Sequence, residues 1–326
     1  MPEPRANPHF RGHEAAVAAL YHAAMSGRLH HGWLISGQPG IGKATLAFRF
    51  ARWLLAGATT ADLSLAETAP VFRRVAAGTH PDLFTVEKRV NAKTERLQSE
   101  IVIATVQEAS AFMRLTPAEG GWRVVVIDGA EDMNPNAANA LLKVLEEPPA
   151  RAILLLVSSA PGRLLPTIRS RCRALPLAHL PVSEVEALLA DYAPDRDAQE
   201  RARLARLAEG SIGTALSLAA EDGIAIAGLV DEVLKGPVSP ARAQAIADLV
   251  TRAVEGVDKF ATFMTLLRAG LAANTRAAAR AGEPAAQLAG HVALWQEFAK
   301  LESEVIGLNL DKRAAVIVAL SQLHRT

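Results

Sequence analysis

The chain has 326 residues, half of them hydrophobic and 21% charged, so it is long enough for two or three domains that each bury a core. Lysine and arginine exceed aspartate and glutamate by one, and the net charge of +1 argues against autonomous nucleic-acid binding. The single cysteine, Cys172, excludes an internal disulfide framework and a cysteine-based zinc cluster. We therefore predict no zinc, and the sequence motifs assign no residue as a resident metal ligand.

The apolar runs of the sequence are short. One of them covers residues 153–157, far below the roughly 20 residues that a membrane-spanning helix needs. The residues that follow Met1 lack the apolar stretch of a secretory signal. These features predict a protein without membrane contact that acts in the cytoplasm.

Residues 31–178 alternate short apolar segments with helical patterns, which predicts an α/β module with a parallel, doubly wound sheet. The predicted strands are Gly32–Ser36, Leu83–Glu87, Arg123–Asp128, Ala152–Ser158 and Ala174–Leu177. The helices predicted between them are Lys43–Leu55, Ile101–Leu115 and Asn136–Glu147. The last of these is expected to stop at Pro148-Pro149, because proline cannot continue a helix.

From residue 182 onward nearly every segment has a helical period of about 3.6 residues. Ser183 and Glu186 have the spacing of a capping box, which predicts that the first of these helices begins at Ser183. The predicted helices are Ser183–Leu189, Ala198–Ala208, Thr214–Ala220 and several alanine-rich ones between Ile224 and Leu323. Residues 221–223 are a candidate joint between a small and a larger helical unit.

A glycine-rich segment, Gly37-Gln-Pro-Gly-Ile-Gly-Lys43, follows the first predicted strand and opens the first predicted helix. Glycines let backbone N–H groups converge on phosphates, the helix N-terminus adds positive partial charge, and the lysine adds a full charge. Asp128 ends another predicted strand, where an acidic residue is expected to act on Mg²⁺. The sequence thus predicts an ATP or ADP site formed by Gly37, Gly40, Gly42, Lys43, Ala44, Thr45 and Asp128.

This site lacks two residue types that ATP hydrolysis normally uses. The residue after Lys43 is Ala44 rather than the Ser or Thr that holds Mg²⁺, and Thr45 lies about 100° further around the helix. The residue after Asp128 is Gly129 rather than a glutamate that orients the attacking water. We predict weakened Mg²⁺ coordination. Two states stay open: a loop that binds nucleotide without turning it over, and a loop kept only as a folding element.

Three segments together resemble the bacterial clamp-loader subunits of the AAA+ class. They are AANALLKVLEEPP at 137–149, ILLLVSS at 153–159 and LPTIRSRC at 165–172. The resemblance implies an AAA+ P-loop module over residues 1–180, a small helical lid over 181–222 and an all-helical C-terminal collar domain over 223–326. It also implies a DNA polymerase III subunit that joins gamma/tau and delta subunits in a hetero-pentameric ring. That ring loads the sliding clamp onto primed DNA.

The resemblance further implies a role for Ser170-Arg171-Cys172. The arginine of this motif projects into the ATP site of the next subunit in the family, so Arg171 is expected to be an arginine finger in trans, with Ser170 and Cys172 as its neighbours. The lid of the motor subunits carries an arginine that senses the γ-phosphate, and this chain has Gly213 there. We therefore predict that the chain does not hydrolyse ATP by itself.

Two other functions compete with this prediction. One is an ATPase of the same class that hydrolyses ATP in cis, with Thr45 and Glu131 as stand-ins for the missing groups. The other is a small-molecule P-loop kinase, which the long helical C-terminal half and Ser170-Arg171-Cys172 disfavour. Turnover of Mg-ATP by the isolated chain would distinguish the first alternative from a subunit without catalysis of its own.

Overall fold

The structure is a computed structural model that describes residues 3–90, 97–252 and 258–323. Residues 91–96 and 253–257, which belong to the predicted first domain and the predicted C-terminal helices, lie outside the described residues. The chain divides into two compact units, Met1–Leu188 with Glu209–Gly213, and Leu189–Ala208 with Thr214–Thr326. The division into domains 1–180, 181–222 and 223–326 stays a prediction.

One parallel sheet forms the centre of the first unit. Its strands among the described residues are β1 (Gly32–Ser36), β2 (Leu83–Val86), β3 (Arg123–Asp128), β4 (Ala152–Ser158) and β5 (Arg173–Pro176). Their order across the sheet is β2-β3-β4-β1-β5, and every neighbouring pair is parallel. The predicted strands are confirmed, with ends that differ by at most one residue.

Helices cover both faces of this sheet. Those described in the first unit are α1 (Glu14–Met25), α2 (Lys43–Leu55), α3 (Pro70–Ala76), α4 (Ile103–Arg114), α5 (Pro135–Glu146) and α6 (Pro166–Arg169). Side chains alternate along β3, so Val124 and Val126 join the core under α1 to α3, whereas Val125 and Ile127 join the core under α4 to α6. This burial on both faces explains the apolar strands, and the predicted doubly wound α/β fold is confirmed.

The rest of the described chain is helical, as predicted. Its helices are α7 (Val182–Tyr192), α8 (Ala198–Leu207), α9 (Ile212–Ala220), α10 (Gly223–Lys235), α11 (Pro240–Thr251), α12 (Lys259–Arg280), α13 (Ala285–Leu308) and α14 (Lys312–Gln322). Phe260, Phe263, Phe298 and Val316 are buried in the second unit. No single described helix is long and apolar enough to cross a membrane, and α9 with α10 passes only as a pair bent by 95°.

The predicted capping box at Ser183 is wrong. Helix α7 begins at Val182, so Ser183 is already inside the helix. The N–H groups of Glu184 and Val185 both donate to the carbonyl oxygen of Pro181. Proline has a fixed φ that suits the entrance of a helix, and its carbonyl takes the first backbone bonds without help from a serine side chain.

Candidate nucleotide site and arginine motif

The predicted phosphate loop connects β1 to α2. Gly42 is the N-cap of α2, so the N–H groups of the first helical turn have no partner within the helix. Gly40 and Gly42 have φ angles of 74° and 99°, which glycine adopts without strain. The residues predicted to bind phosphate lie together in this turn: Gly37, Gly40, Gly42, Lys43, Ala44 and Thr45.

Lys43 is the buried cation of this loop. Its residue is only 6% exposed, and Nζ donates a 2.5 Å hydrogen bond to the carbonyl oxygen of Gln38. Burial lowers the pKa of Lys43, while the carboxylates of Glu131 and Asp128 oppose that shift. The ammonium group therefore lies near the acidic end of β3 and is held by a carbonyl of its own loop, from which a phosphate could displace it.

Asp128 ends β3 as predicted, in register with Val157 of β4. Burial raises the pKa of Asp128 and the nearby Glu87 raises it further, whereas Lys43 lowers it. A raised pKa disfavours the ionised carboxylate that Mg²⁺ requires. Thr45 is buried in α2, and Ala44 has no hydroxyl. These residues fit a phosphate better than they fit a magnesium ion.

The position after Asp128 has a backbone that suits glycine. Gly129 has φ of 76°, and a Cβ there would lie 2.9 Å from Oδ2 of Asp132. Glu131 lies in the short 3-10 turn that follows, and its Oε1 accepts a 2.8 Å hydrogen bond from the backbone N–H of Ser159. Its Oε2 is buried without a hydrogen-bond partner among the described residues. Glu131 is therefore held by the segment after β4.

Residues 209–213, which belong to the first unit, contact the phosphate loop directly. The N–H of Gly213 donates a 2.9 Å hydrogen bond to the carbonyl oxygen of Gly40, and Oγ of Ser211 donates a 3.0 Å hydrogen bond to that of Pro39. A Cβ on Gly213 would lie 2.7 Å from Cα of Gly40. The position where the resemblance implies a phosphate-sensing arginine is thus a backbone-to-backbone contact.

Arg171 lies between α6 and β5, near the amino-terminal ends of the parallel strands β1 and β5. The phosphate loop follows the carboxyl end of β1, which is the opposite end of the sheet. Arg173 begins β5 and pairs with Trp33 near the start of β1, whereas the phosphate loop follows Ser36 at the end of β1. A strand of five residues is roughly 13–16 Å long. The structure therefore does not bring Arg171 together with the other predicted site residues.

The Arg171 side chain is 36% exposed and has two partners among the residues that the structure describes. Nη2 lies 2.8 Å from Oε1 of Glu146, and Nη1 donates a 3.1 Å hydrogen bond to the carbonyl oxygen of Thr167. The sequence prediction did not include Glu146. A signal was present, because Glu146 is the last residue of α5 and a carboxylate at a helix C-terminus is unfavourable without a nearby cation.

The two neighbours of Arg171 have local structural roles. Oγ of Ser170 donates a 3.1 Å hydrogen bond to the carbonyl oxygen of Thr167. Burial raises the pKa of the Cys172 thiol to about 12, which is the opposite of what a nucleophilic cysteine needs. Within residues 3–90, 97–252 and 258–323, no group of three or more His, Cys, Asp or Glu residues is arranged to hold a metal ion.

The strand order, the glycine-rich loop between β1 and α2 and the aspartate that ends β3 define a P-loop module of the AAA+ class, followed by a helical region. A family model described as DNA polymerase III, delta subunit, matches residues 12–181, just over half of the chain. The chain belongs to this family, and the resemblance seen in the motifs is confirmed.

Individual relatives agree with this family. The chain is 41% identical over 190 residues to DNA polymerase III subunit delta' of Pseudomonas aeruginosa. The aligned residues make up 58% of this chain and 55% of the relative. It is 32% identical over 213 residues to subunit tau of Escherichia coli K12, covering 64% of this chain and 31% of the relative. The matched region thus spans about half or less of these curated relatives.

A solved structure shows the same fold over a longer part of the chain. It is a DNA polymerase III gamma subunit-related protein from Thermotoga maritima, with a TM-score of 0.51 and 18% identity. The match covers 94% of this chain and 98% of that chain. At this identity the likeness concerns the fold alone.

Proposed function

We propose that the chain is a delta-prime-type clamp-loader subunit of DNA polymerase III that supplies Arg171 in trans to the ATP site of a neighbouring subunit. The observation that carries this proposal is the position of Arg171 near the amino-terminal ends of β1 and β5, whereas the chain's own phosphate loop follows the carboxyl end of β1. A permanently charged, planar guanidinium suits a transferring phosphate, and from that end of the sheet it contacts a phosphate held by another chain. Membership of the family supports a role in the polymerase III assembly.

The proposed partners are other clamp-loader subunits, gamma/tau and delta, in a hetero-pentameric ring. Through that ring the chain helps to place the sliding clamp on primed DNA. The similarity to delta-prime and tau subunits supports this choice of partners. The net charge of +1 is compatible with it, because the assembly rather than this chain alone would supply the positive charge for DNA.

The chain's own site is proposed to be inactive in hydrolysis. Ala44 offers no hydroxyl to Mg²⁺, Gly129 has a left-handed backbone in place of a catalytic glutamate, and Gly213 is packed against Gly40. The alternative of hydrolysis in cis requires Thr45 and Glu131 as stand-ins. The burial of Thr45 and the hydrogen bond that Glu131 accepts from Ser159 both argue against that alternative.

ATP or ADP is proposed to bind at the phosphate loop without turnover. Lys43 and the N–H groups of the first turn of α2 would hold the phosphates once Nζ leaves the carbonyl of Gln38. Equilibrium binding of ATP to the purified chain, with and without Mg²⁺, tests this proposal. We expect affinities that agree within about twofold, because the site lacks the metal-binding hydroxyl. A strong requirement for Mg²⁺ would contradict it.

The trans role is tested in a complex reconstituted from this chain and the clamp-loader subunits of its own organism. Arg171→Ala is expected to slow hydrolysis at the neighbouring site by roughly 10³-fold or more, measured with clamp and primed DNA present. Arg169→Ala is the matched control, because Arg169 is an exposed arginine of the same segment. Lys43→Ala should leave turnover nearly unchanged. Normal hydrolysis with Arg171→Ala would overturn the proposed role.

A further inference from the structure

We infer that Glu146 is a positioning residue for Arg171, which it orients toward the phosphate of the neighbouring subunit. The inference rests on the proposed trans role of Arg171 and concerns what holds that side chain in place. Oε1 of Glu146 lies 2.8 Å from Nη2 of Arg171, so the two side chains form a charge-assisted hydrogen bond. Glu146 ends α5 and Arg171 follows the end of α6, and both helix ends are fixed by packing.

The end of α5 is fixed by buried neighbours of Glu146. Val144 and Leu145 are buried in the core under α4 to α6. The carbonyl oxygen of Leu145 lies 3.0 Å from Nε2 of His31, and a Cβ on Gly32 would lie 3.0 Å from a methyl carbon of Leu145. The last turn of α5 therefore has little freedom to shift, and the Glu146 carboxylate starts from a rigid backbone position.

The backbone of Arg171 is fixed in the same way. Ile168 is fully buried, and its carbonyl oxygen accepts a 3.1 Å hydrogen bond from the N–H of Arg171. The carbonyl oxygen of Thr167 accepts the hydrogen bond from Nη1. Without Glu146, one end of the guanidinium would still be held by this carbonyl, but the group could rotate about that single contact.

The placement of Glu146 has an electrostatic cost that only a cation offsets. It is the last residue of α5, where the negative end of the helix dipole repels a carboxylate, and Glu147 adds a second negative charge next to it. Arg171 is the cation that contacts Glu146 there. A glutamate in this position is thus poorly explained by helix stability and well explained by the arginine that it holds.

The geometry of the pair indicates that Glu146 orients Arg171 and does not prevent it from binding a phosphate. A guanidinium has five N–H groups, and the described partners of Arg171 take two of them, one at Nη1 and one at Nη2. The contact with Glu146 uses a single oxygen, and both side chains are exposed to water to a third or more. Such a pair is weak, whereas a phosphate offers more charge and several acceptor oxygens, so the remaining N–H groups can bind it without breaking the pair.

The test uses the reconstituted complex and compares Glu146→Gln with Glu147→Gln. Glu147 is the adjacent exposed carboxylate, so its variant removes the same charge without removing the contact. We expect Glu146→Gln to lower the kcat of clamp- and DNA-stimulated hydrolysis about three- to tenfold, with the KM for ATP nearly unchanged. Glu147→Gln should behave as the parent, and Glu146→Asp should recover part of the loss.

Combination with Arg171→Ala separates this inference from the proposed function. If Arg171 acts in trans and Glu146 acts through it, the double variant should be no slower than Arg171→Ala alone. If Arg171→Ala slows hydrolysis but Glu146→Gln matches Glu147→Gln, the proposed function stands and the positioning role is overturned. Faster hydrolysis with Glu146→Gln would also overturn it. Normal hydrolysis with Arg171→Ala would remove the proposed function itself.

Thermal unfolding of the isolated variants and their assembly into the complex are measured alongside the kinetics. We expect both to be unchanged for Glu146→Gln, because a half-exposed ion pair contributes little to stability. A variant that assembles normally but hydrolyses slowly supports positioning. If Glu146→Gln loses hydrolysis only in proportion to lost assembly, while Glu146→Asp assembles and hydrolyses no better, the positioning role is overturned.

Discussion

Gly213 and Gly40 are in direct backbone contact, with the N–H of Gly213 donating a 2.9 Å hydrogen bond to the carbonyl oxygen of Gly40. Oγ of Ser211 donates a second hydrogen bond to this loop, at the carbonyl oxygen of Pro39. At the position where the resemblance implies a phosphate-sensing arginine, two glycines pack closely and leave no space for a Cβ.

We predict that Gly213→Ala destabilises the chain. A Cβ there would lie 2.7 Å from Cα of Gly40, so the loop backbone must shift, at a cost of about 1–3 kcal/mol. Gly228→Ala is the matched control, because Gly228 lies within α10 and a Cβ there meets nothing within 4 Å. That variant should be stabilising by about 0.5–1 kcal/mol. Urea unfolding of both variants checks the prediction, and equal stabilities would contradict it.

We predict that hydrolysis cannot be restored by supplying the missing side chains. The double variant Ala44→Ser/Gly129→Glu gains a hydroxyl and a carboxylate, but Gly129 has φ of 76° and faces Oδ2 of Asp132. A glutamate there is strained by about 1–3 kcal/mol and has no room for the usual side-chain direction. Phosphate release from Mg-ATP by the isolated variant should stay at background. Sustained turnover would show that the backbone adapts.

The sequence could predict the sheet and the loop because both leave local signals. Strands buried on two faces are continuous apolar runs, and the glycine-rich loop has fixed spacing between strand and helix. Helix α1 was not predicted, since its alanine-rich sequence has a weak amphipathic pattern and buries only one large side chain, Leu20. The predicted start of α7 at Ser183 is one residue late, because the carbonyl oxygen of Pro181 accepts the first backbone hydrogen bonds of the helix.

The contacts that shape the site could not be predicted from local sequence patterns. Ser211 bonds to Pro39 across most of the first unit's sequence, and Glu146 meets Arg171 only after β4 and α6 have been placed. Missing side chains at Ala44 and Gly213 can be read from a sequence. That Gly213 packs against the loop, or that Glu146 holds the arginine, depends on how separate elements meet in space.

We predict that acidification destabilises the chain partly through His80. Nδ1 of this buried histidine accepts the N–H of Asp82, so the neutral ring carries its proton on Nε2. Burial lowers the pKa of His80 and Arg74 lowers it further. The carboxylates of Glu119 and Asp82 raise it by less, so the unfolded chain binds a proton more readily than the folded one. The stability from the neutral ring is complete above the unfolded pKa of about 6.5 and is lost as the pH falls below it.

His80→Asn tests this prediction, because an asparagine oxygen can accept the same backbone N–H but does not titrate. Thermal unfolding between pH 5 and 7.5 should show a shallower loss of stability for this variant than for the parent chain. His22→Gln is the control, since His22 is exposed on α1. An identical pH slope for His80→Asn and the parent would contradict the prediction.

We predict that Arg52 cannot be replaced by lysine. This arginine is 2% exposed, donates from Nη1 to the carbonyl oxygen of Arg5 at 2.7 Å and from Nη2 to that of Asn7 at 2.8 Å, and stacks 4.4 Å from the ring centre of Phe72. A single ammonium group cannot reproduce the two-pronged contact and the stacking.

The expected loss for Arg52→Lys is about 2–4 kcal/mol in urea unfolding, because at least one buried carbonyl loses its charged donor. Arg73→Lys, at an exposed position of α3, should change stability by less than about 0.5 kcal/mol. Limited proteolysis should also cut the Arg52→Lys chain earlier near residues 5–7. Equal stability of the two lysine variants would contradict a role of Arg52 in fixing that segment.

We predict that Cys172 resists alkylation in the folded chain although it is adjacent to the exposed arginine motif. Burial raises the pKa of its thiol to about 12, so at pH 8 the reactive thiolate is roughly 10³-fold rarer than in an unperturbed cysteine. The measurement is clean because Cys172 is the only cysteine in the sequence. Maleimide labelling should be slow in buffer and fast in denaturant. If the folded chain were labelled at a rate within tenfold of the denatured rate, the thiol would be accessible and would ionise normally. Arg171 would then lie on a more mobile segment than its contacts with Glu146 and Thr167 indicate.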